Sequence, residues 1–291
     1  MDLNALRAFL EVAEQASFSR AAEQLHLTQP AVSKRIAALE EALGTPLFDR
    51  IARHIVPTQA GRALMPRARE ILRQVDDCRR AVADLSGEVA GPLVVGTSHH
   101  IGLRRLPPVL KAFTQRYPKA DLDIRFMASE SICEAVEEGR LEVGIVTLPL
   151  EPPATLTVTP LWDDPLYLVF APDHPLARKD ALTPATIARY PAILPDPGTF
   201  TRQLIDQAFE RHGQKLIAKV ETNYMETIRM MVSIGLGWSL LPATLQGEDL
   251  ITHDLASIQT RRTLGLVTHR NRTLSNVAKR LSELLYDHSA L

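Results

Sequence analysis

Residues 28–42 carry a small set of side chains suited to the edge of a nucleic-acid base: Gln29, Ser33 and Lys34, with Thr28 and Arg35 beside them. At about 100° per residue, Val32, Ile36 and Leu39 fall on one face of a helix. Pro30, Ser33, Lys34 and Ala37 fall on the opposite face, and Gln29 and Arg35 on the flanks. A helix with a small, polar and basic outer face fits the DNA major groove. Small side chains permit close approach, and Lys or Gln can hydrogen-bond base edges. Over 28–69, seven basic residues (Lys34, Arg35, Arg50, Arg53, Arg62, Arg67, Arg69) face three acids (Glu40, Glu41, Asp49). Such local charge supplies phosphate affinity. The whole chain gives no such signal, with 33 Lys+Arg against 34 Asp+Glu and a net charge of −1. The competing reading is a solvated three-helix module with ordinary surface charge.

A second group of side chains sits where strand-like runs end. Thr97, Ser98, His99 and His100 follow Leu93–Gly96, just ahead of a helix near Leu103, and Thr147 closes another run. Thr199, Phe200 and Thr201 precede one further helix, and Asn223, Tyr224 and Met225 another. In parallel α/β sheets, ligands bind beyond the carboxyl ends of the strands, and helix N-termini hold anions. Helix capping by Ser98 and Thr199, and a surface loop for His99 and His100, are the competing readings. Adjacent histidines in an extended loop point apart, and no H-x-x-x-H or Cys/His cluster joins them, so no metal site is expected. No G-x-S-x-G, Walker loop or H-E-x-x-H is present, and no acid can be assigned to orient Ser98 and His99, so no enzyme is expected. The two cysteines, Cys78 and Cys133, make no C-x-x-C and no disulfide framework, which suits a reducing compartment.

The scaffold divides into three segments. In 1–57, Leu3, Leu6, Phe9, Leu10 and Ala13 recur at helical spacing. Ser19 is placed to cap a second helix with Ala21, Ala22 and Leu25, and His26 and Leu27 make a turn. Thr28 caps the third helix, which tolerates Pro30 in its first turn and stops at Gly44. Strand-like pieces follow around Leu47–Asp49 and Ile55–Pro57.

Residues 58–86 read as one long helix. Leu64, Ala68, Ile71, Val75, Cys78, Val82 and Leu85 alternate steps of four and three, a heptad seam. The other face, with Arg67, Arg69, Arg73, Gln74, Asp76, Arg79 and Arg80, is too polar to bury. The seam is therefore read as a contact with a second copy, with packing onto the same chain as the alternative. Gly87 to Gly91 form a linker.

From Pro92 onward, strands alternate with helices, which predicts an α/β fold of parallel sheets covered on both faces. Strands are expected at Leu93–Gly96, Leu122–Phe126, Val143–Val146, Leu156–Leu161, Leu166–Phe170, Ala192–Leu194, Leu216–Val220, Trp238–Leu240 and Leu264–Thr268. The longest uncharged run, Met230 to Gly247, is 18 residues and contains Gly235, Gly237 and Pro242, so no membrane helix is expected. The first residues lack a basic segment followed by an apolar run, so no export signal is expected.

The run SFSRAAEQLHLTQPAVSKRIAALEEALGTPLFDR (17–50), continuing to PTQAG (57–61), resembles the LysR-type transcriptional regulators. RYPKADLDIRF (116–126), LEVGIV (141–146), HPLA (174–177) and IGLGWSLLP (234–242) are similar, in order, to landmarks of that family's effector domain. The resemblance covers the whole chain. It implies a winged helix-turn-helix in 1–57, a dimerising linker helix and hinge in 58–90, and a periplasmic-binding-protein-like effector domain in 91–291. Lobe I is expected over 92–161 and 265–291, and lobe II over 162–264. By position, Gln29, Pro30, Ser33 and Lys34 would meet bases, Thr28 and Arg35 the DNA backbone, and Arg53 and His54 the minor groove from the wing. A small-molecule effector, anionic in many members, would lie between the lobes against Thr97, Ser98, His99, His100, Thr147, Phe200, Thr201 and Tyr224. Operator DNA and dimers assembled into tetramers follow from the same resemblance; no cofactor is expected, and the lack of an export signal or membrane helix predicts a cytoplasmic location. The alternative of another class, an exported solute-binding protein of similar lobes, lacks an export signal and does not explain the helical extension.

Overall fold

The computed structural model describes residues 2–51, 54–83, 87–255, 258 and 260–289. It forms two compact units, Met1–Ser86 and Gly87–Leu291.

The first unit holds α1 (Leu3–Gln15), α2 (Phe18–Gln24), α3 (Gln29–Leu43), the hairpin β1 (Phe48–Ile51) and β2 (His54–Pro57), and α4 (Gln59–Ala83). Each of the first three helices has a side-chain cap: Asp2 accepts from Asn4 N, Ser17 from Arg20 N, and Thr28 from Ala31 N. The cap of α2 is thus Ser17 and not Ser19, which lies inside the helix. His26 turns the chain between α2 and α3 with φ +54°, and Gly44 ends α3 at φ +67°. Leu6, Phe9, Val12, Ala21, Val32, Ile36, Leu39 and Leu47 make the core. Gly61 is required where α4 passes the residue ahead of β1, because a Cβ there would lie 2.3 Å from the Leu47 carbonyl oxygen.

The heptad seam of α4 is divided. Ala68 is fully buried in the first unit's own core, and Leu64 and Ile71 pack against it. These three residues therefore serve the fold of their own chain, because α1 lies on that part of α4. Val75 is partly covered, whereas Cys78 and Val82 are exposed. Leu85 lies outside the described residues, as does Arg53 of the wing.

The second unit is built on a sheet in the order β10-β6-β11-β5-β3-β4, with β9 also paired to β6. Its strands are β3 (Gly91–Thr97), β4 (Ala120–Phe126), β5 (Val143–Thr147), β6 (Leu156–Phe170), β9 (Ser239–Pro242), β10 (Ile251–His253) and β11 (Arg261–His269). A small parallel sheet joins β7 (Ala192–Leu194) to β8 (Ala218–Glu221). The helices are α5 (His99–Arg104), α6 (Leu106–Arg116), α7 (Ser129–Glu137), α8 (Pro184–Ile187), α9 (Phe200–Glu210), α10 (Met225–Ser233) and α11 (Asn276–Ser289).

The expectation of purely parallel sheets is corrected. β3 is parallel to β4 and β5, but β11 runs antiparallel to both β5 and β6, and β6 is antiparallel to β9 and β10. The two strands expected at 156–161 and 166–170 are one strand. Asp163, Asp164 and Pro165 interrupt its apolar pattern, yet it stays paired, because Arg261 and Arg262 of β11 neutralise Asp163 and Asp164. Its first half belongs with the cores around Leu93, Val95, Phe113, Ile132 and Val146, and its second half with those around Phe170, Phe209, Trp238 and Ile228. β6 and β11 thus thread two lobes, and the register slips between Leu264 and Gly265.

Candidate nucleic-acid interface and ligand cleft

On α3 the apolar stripe Val32, Ile36 and Leu39 is buried, which turns the opposite face outward. Thr28, Gln29, Pro30, Lys34 and Ala37 are exposed, while Ser33 and Arg35 are half-buried. Gln29 Nε2 donates to Ser33 Oγ at 2.9 Å, one helical turn away. That bond orients both polar groups before any partner arrives. His54 opens β2.

The second unit encloses a cavity of about 480 Å³ between its lobes. Ser98, His99, His100, Thr147, Thr201 and Tyr224 line it, so six of the eight side chains named from sequence come together there. Thr97 and Phe200 do not line it. Thr97 is fully buried under α5, where Gly102 lets the helix approach its methyl group. Phe200 packs on the core of the opposite lobe, and its main-chain N–H donates to Glu130 Oε1 at 2.5 Å. His99 and His100 are not in a loop: α5 begins at His99, four residues earlier than the periodicity near Leu103 suggests.

Several lining residues lay outside the sequence reading. Arg262 enters from β11, Ser129 and Glu130 from the start of α7, Asp196 from the loop after β7, and Glu221 from β8. Ser129 Oγ accepts from Thr147 N at 3.1 Å, which fixes two lobe I elements together. A hydroxyl just after a strand was the signal that singled out Ser98, and Ser129 carries the same signal after β4. Arg262 carries another: with Arg261 it opens a strand whose middle, Leu264–Val267, is apolar.

Arg262 is the electrostatic centre. Its Nε donates to Asp164 Oδ2 at 2.7 Å, and its Nη1 donates to Thr201 Oγ1 at 3.1 Å. Nη2 lies beside the same carboxylate oxygen, but has no aligned hydrogen bond. Burial lowers the Arg262 pKa, and Asp164 opposes that shift. Arg105 Nη2 adds a longer contact to Asp164 Oδ1 at 3.4 Å. Next to this group, His100 is held neutral, with its pKa pushed down to about 4 by burial and by the Arg262 charge, against the pull of Asp164 and Glu226. His100 also spans the lobes: its Nε2 is 3.3 Å from Thr244 Oγ1 and its Nδ1 3.6 Å from Glu226 Oε1. Buried polar atoms left without a hydrogen bond include His100 Nδ1, both Glu226 oxygens and Arg262 Nη2. Such atoms are costly unless something satisfies them.

The cysteines stand apart from the cavity. Cys133 is buried in α7, and burial pushes its thiol up to about 12. Among the described residues no group of three or more His, Cys, Asp or Glu is placed to hold a metal ion, and no helix is long and apolar enough to cross a membrane.

Known proteins resemble both units. Residues 3–62 match the family described as "Bacterial regulatory helix-turn-helix protein, lysR family", and residues 86–290 match "LysR substrate binding domain". A probable RuBisCO transcriptional regulator of Cyanidioschyzon merolae is 31% identical over 286 residues, covering 95% of this chain and 94% of that protein. A RuBisCO operon transcriptional regulator of Allochromatium vinosum is 29% identical, covering 100% of this chain and 97% of that protein. Among solved structures, full-length OxyR of Pseudomonas aeruginosa superposes with a TM-score of 0.72 at 26% identity, over 100% of this chain and 95% of that one. CbnR complexed with its target DNA shares the fold, with a TM-score of 0.65 at 22% identity, over 99% of this chain and 100% of that one.

Proposed function

The chain belongs to the LysR family of transcriptional regulators, and from that membership we propose that it reads operator DNA with the outer face of α3 and responds to a small molecule held between the lobes of its second unit. It is a regulator and not an enzyme, and the family assignment sets aside the exported solute-binding alternative. Gln29, Pro30, Ser33 and Lys34 approach bases, Thr28 and Arg35 approach phosphates, and Arg53 and His54 of the wing reach the neighbouring minor groove. Val75, Cys78, Val82 and Leu85 provide the α4 contact with a second copy, and dimers pair into tetramers. A DNA-reading regulator of this kind works in the cytoplasm.

One observation supports the effector half of this reading above the others. A buried guanidinium with an unused donor, Arg262, lines a cavity that both lobes enclose. A ligand bound there touches both lobes, and only such differential contact can shift a conformational balance. The test is a gel shift of the full-length protein on the DNA flanking its own gene, with and without small-molecule extracts. Sequence-selective retardation altered by a small molecule is expected. Binding that ignores sequence, or that no extract alters while Arg262→Gln does not change it either, contradicts the reading.

A further inference from the structure

The charges around the cavity are not those of a site for a multiply charged anion. One guanidinium lines it, that of Arg262, and its partner Asp164 is shared with Arg105, which leaves this group a single positive charge in excess. Three carboxylates line it as well: Glu130, Asp196 and Glu221. Glu221 is offset by Arg202 at 2.9 Å, but Arg202 is shared with Asp206 at 3.0 Å. Glu130 accepts the Phe200 N–H at the start of α9, and no ion pair among the described residues offsets Asp196. A phosphate ester or dicarboxylate would therefore bring a second negative charge towards the carboxylates of Asp196 and Glu221 in a partly enclosed space, where screening by solvent is weak.

The two kinds of recognition chemistry are separated in the chain. The groups that suit a single negative charge are Arg262 Nη2 and Ser129 Oγ. The groups that suit a positive charge lie elsewhere. Asp196 and Glu221 belong to the β7–β8 sheet region of lobe II. Phe126 of lobe I and Tyr224 of lobe II, both more than half exposed, each meet the ring of His99 edge-on, with centroids 5.7 and 5.5 Å apart. Aromatic faces beside carboxylates are the usual surroundings of a bound ammonium or guanidinium group.

We propose that the effector is amphoteric: a compact molecule with one acidic group, held by Arg262 and Ser129, and one cationic group, held against the exposed Tyr224 ring by the carboxylates of Asp196 and Glu221. The class is that of amino acids and amino-substituted carboxylic acids. This rests on the cleft being the effector site, and it adds the charge pattern of the ligand.

The test is calorimetric titration of the full-length protein with probes of one carbon skeleton and different charge: δ-aminovalerate, glutarate and cadaverine, with L-lysine and glycerol phosphate added. An amphoteric probe is expected to bind more tightly than glutarate by roughly tenfold, the sum of one exposed cation–ring contact and one partly screened ion pair. In Asp196→Asn and Tyr224→Ala the preference is expected to shrink, while the thermal stability of the protein without probe changes little, because Tyr224 is exposed and Asp196, half-buried, keeps its size as Asn. Tighter binding of glutarate or glycerol phosphate than of every amphoteric probe overturns the proposal and leaves the cleft as the effector site. A preference that survives both substitutions unchanged also overturns it. Absence of heat with all five probes overturns the amphoteric effector, while the cleft reading stands or falls separately on the gel shift with Arg262→Gln.

Discussion

Glu130 and Phe200 meet across the cleft: the carboxylate of Glu130 on α7 accepts the main-chain N–H of Phe200 at the first position of α9, at 2.5 Å. A side chain of one lobe thereby caps a helix of the other. The helix N-terminus that sequence marks as an anion site is occupied by the protein's own carboxylate, which ties the two lobes together. Glu130→Ala removes this cap and a favourable charge at the helix end. We expect a loss of about 1 kcal/mol in the stability of the second unit, measured by urea unfolding. Unfolding midpoints that coincide for the two proteins would show that the contact does not stabilise the second unit.

The second expectation concerns acid. His100 is buried and neutral, faced by Arg262 from β11, Asp164 from β6 and Glu226 from α10. Its pKa falls from 6.5 in the unfolded chain to about 4 in the fold. Above pH 6.5 the imidazole is neutral in both states, and its contribution to stability is complete. As pH drops below that value the unfolded chain gains a proton that the fold accepts only near pH 4, so stability declines across that window. The slope from this group reaches up to ~1.4 kcal/mol per pH unit. His174, also lowered by burial, adds to the decline. Thermal melts between these limits are expected to flatten in His100→Asn, with a residual slope from His174. An unchanged slope would place the acid sensitivity elsewhere.

The third concerns base reading against phosphate contact. Ser33 is tied to Gln29 on the outer face of α3. Ser33→Arg breaks that bond and puts a bulky group in the groove, so sequence preference is expected to change or disappear. Arg35 lies on the flank. Arg35→Ala is expected to weaken binding on every sequence and to reduce the slope of log K against log salt by about one unit. Anisotropy titrations on specific and scrambled duplexes at several salt concentrations separate the two outcomes. An equal loss of specificity from both variants refutes the face assignment.

The fourth follows from the divided seam of α4. A charge at Ile71 would disturb the first unit's own core as well as any dimer, so its effect on assembly is not interpretable. Val82, at 70% exposed, is free of that core. Val82→Asp is expected to abolish the dimer in sedimentation at micromolar concentration, because an unpaired charge buried in the seam costs several kcal/mol. The helical signal of the first unit is expected to stay intact. A dimer that persists in this variant would move the interface off α4.

These cases show which features are legible in the sequence. The outer face of α3 is readable because a helix presents every third or fourth residue to one side, and the apolar stripe Val32, Ile36 and Leu39 fixes the remainder. The heptad in α4 is equally visible, but not its partner. Whether Ala68 meets a second copy or its own α1 depends on how the helices of 1–57 pack, which no local spacing records. The unity of β6 is hidden because Asp163, Asp164 and Pro165 read as a break, and the arginines that neutralise the two acids are distant in sequence. The same separation, 98 residues between Asp164 and Arg262, conceals the central charge of the cleft. Local chemistry found the hydroxyl and imidazole groups at strand ends, and long-range pairing supplied the charges.

The last expectation contrasts two hydroxyls of the cleft that look alike in sequence. Ser98 precedes α5, makes no side-chain cap and lines the cavity. Its removal therefore leaves no buried partner unsatisfied. Thr201 Oγ1 accepts from Arg262 Nη1, so Thr201→Val strips a hydrogen bond from a guanidinium that is already short of partners. Ser98→Ala is expected to keep unliganded stability and basal operator binding, while effector affinity drops by roughly one to two decades, the worth of a hydrogen bond to a charged ligand. Thr201→Val is expected to lose about 1–3 kcal/mol of stability as well as effector response, since it leaves a buried donor unpaired. Unfolding curves without ligand, followed by a reporter dose–response once an inducer is found, distinguish the two. If Ser98→Ala destabilised the protein as much as Thr201→Val, Ser98 would be a structural hydroxyl. If neither variant moved the dose–response midpoint, the effector would not be held by these side chains.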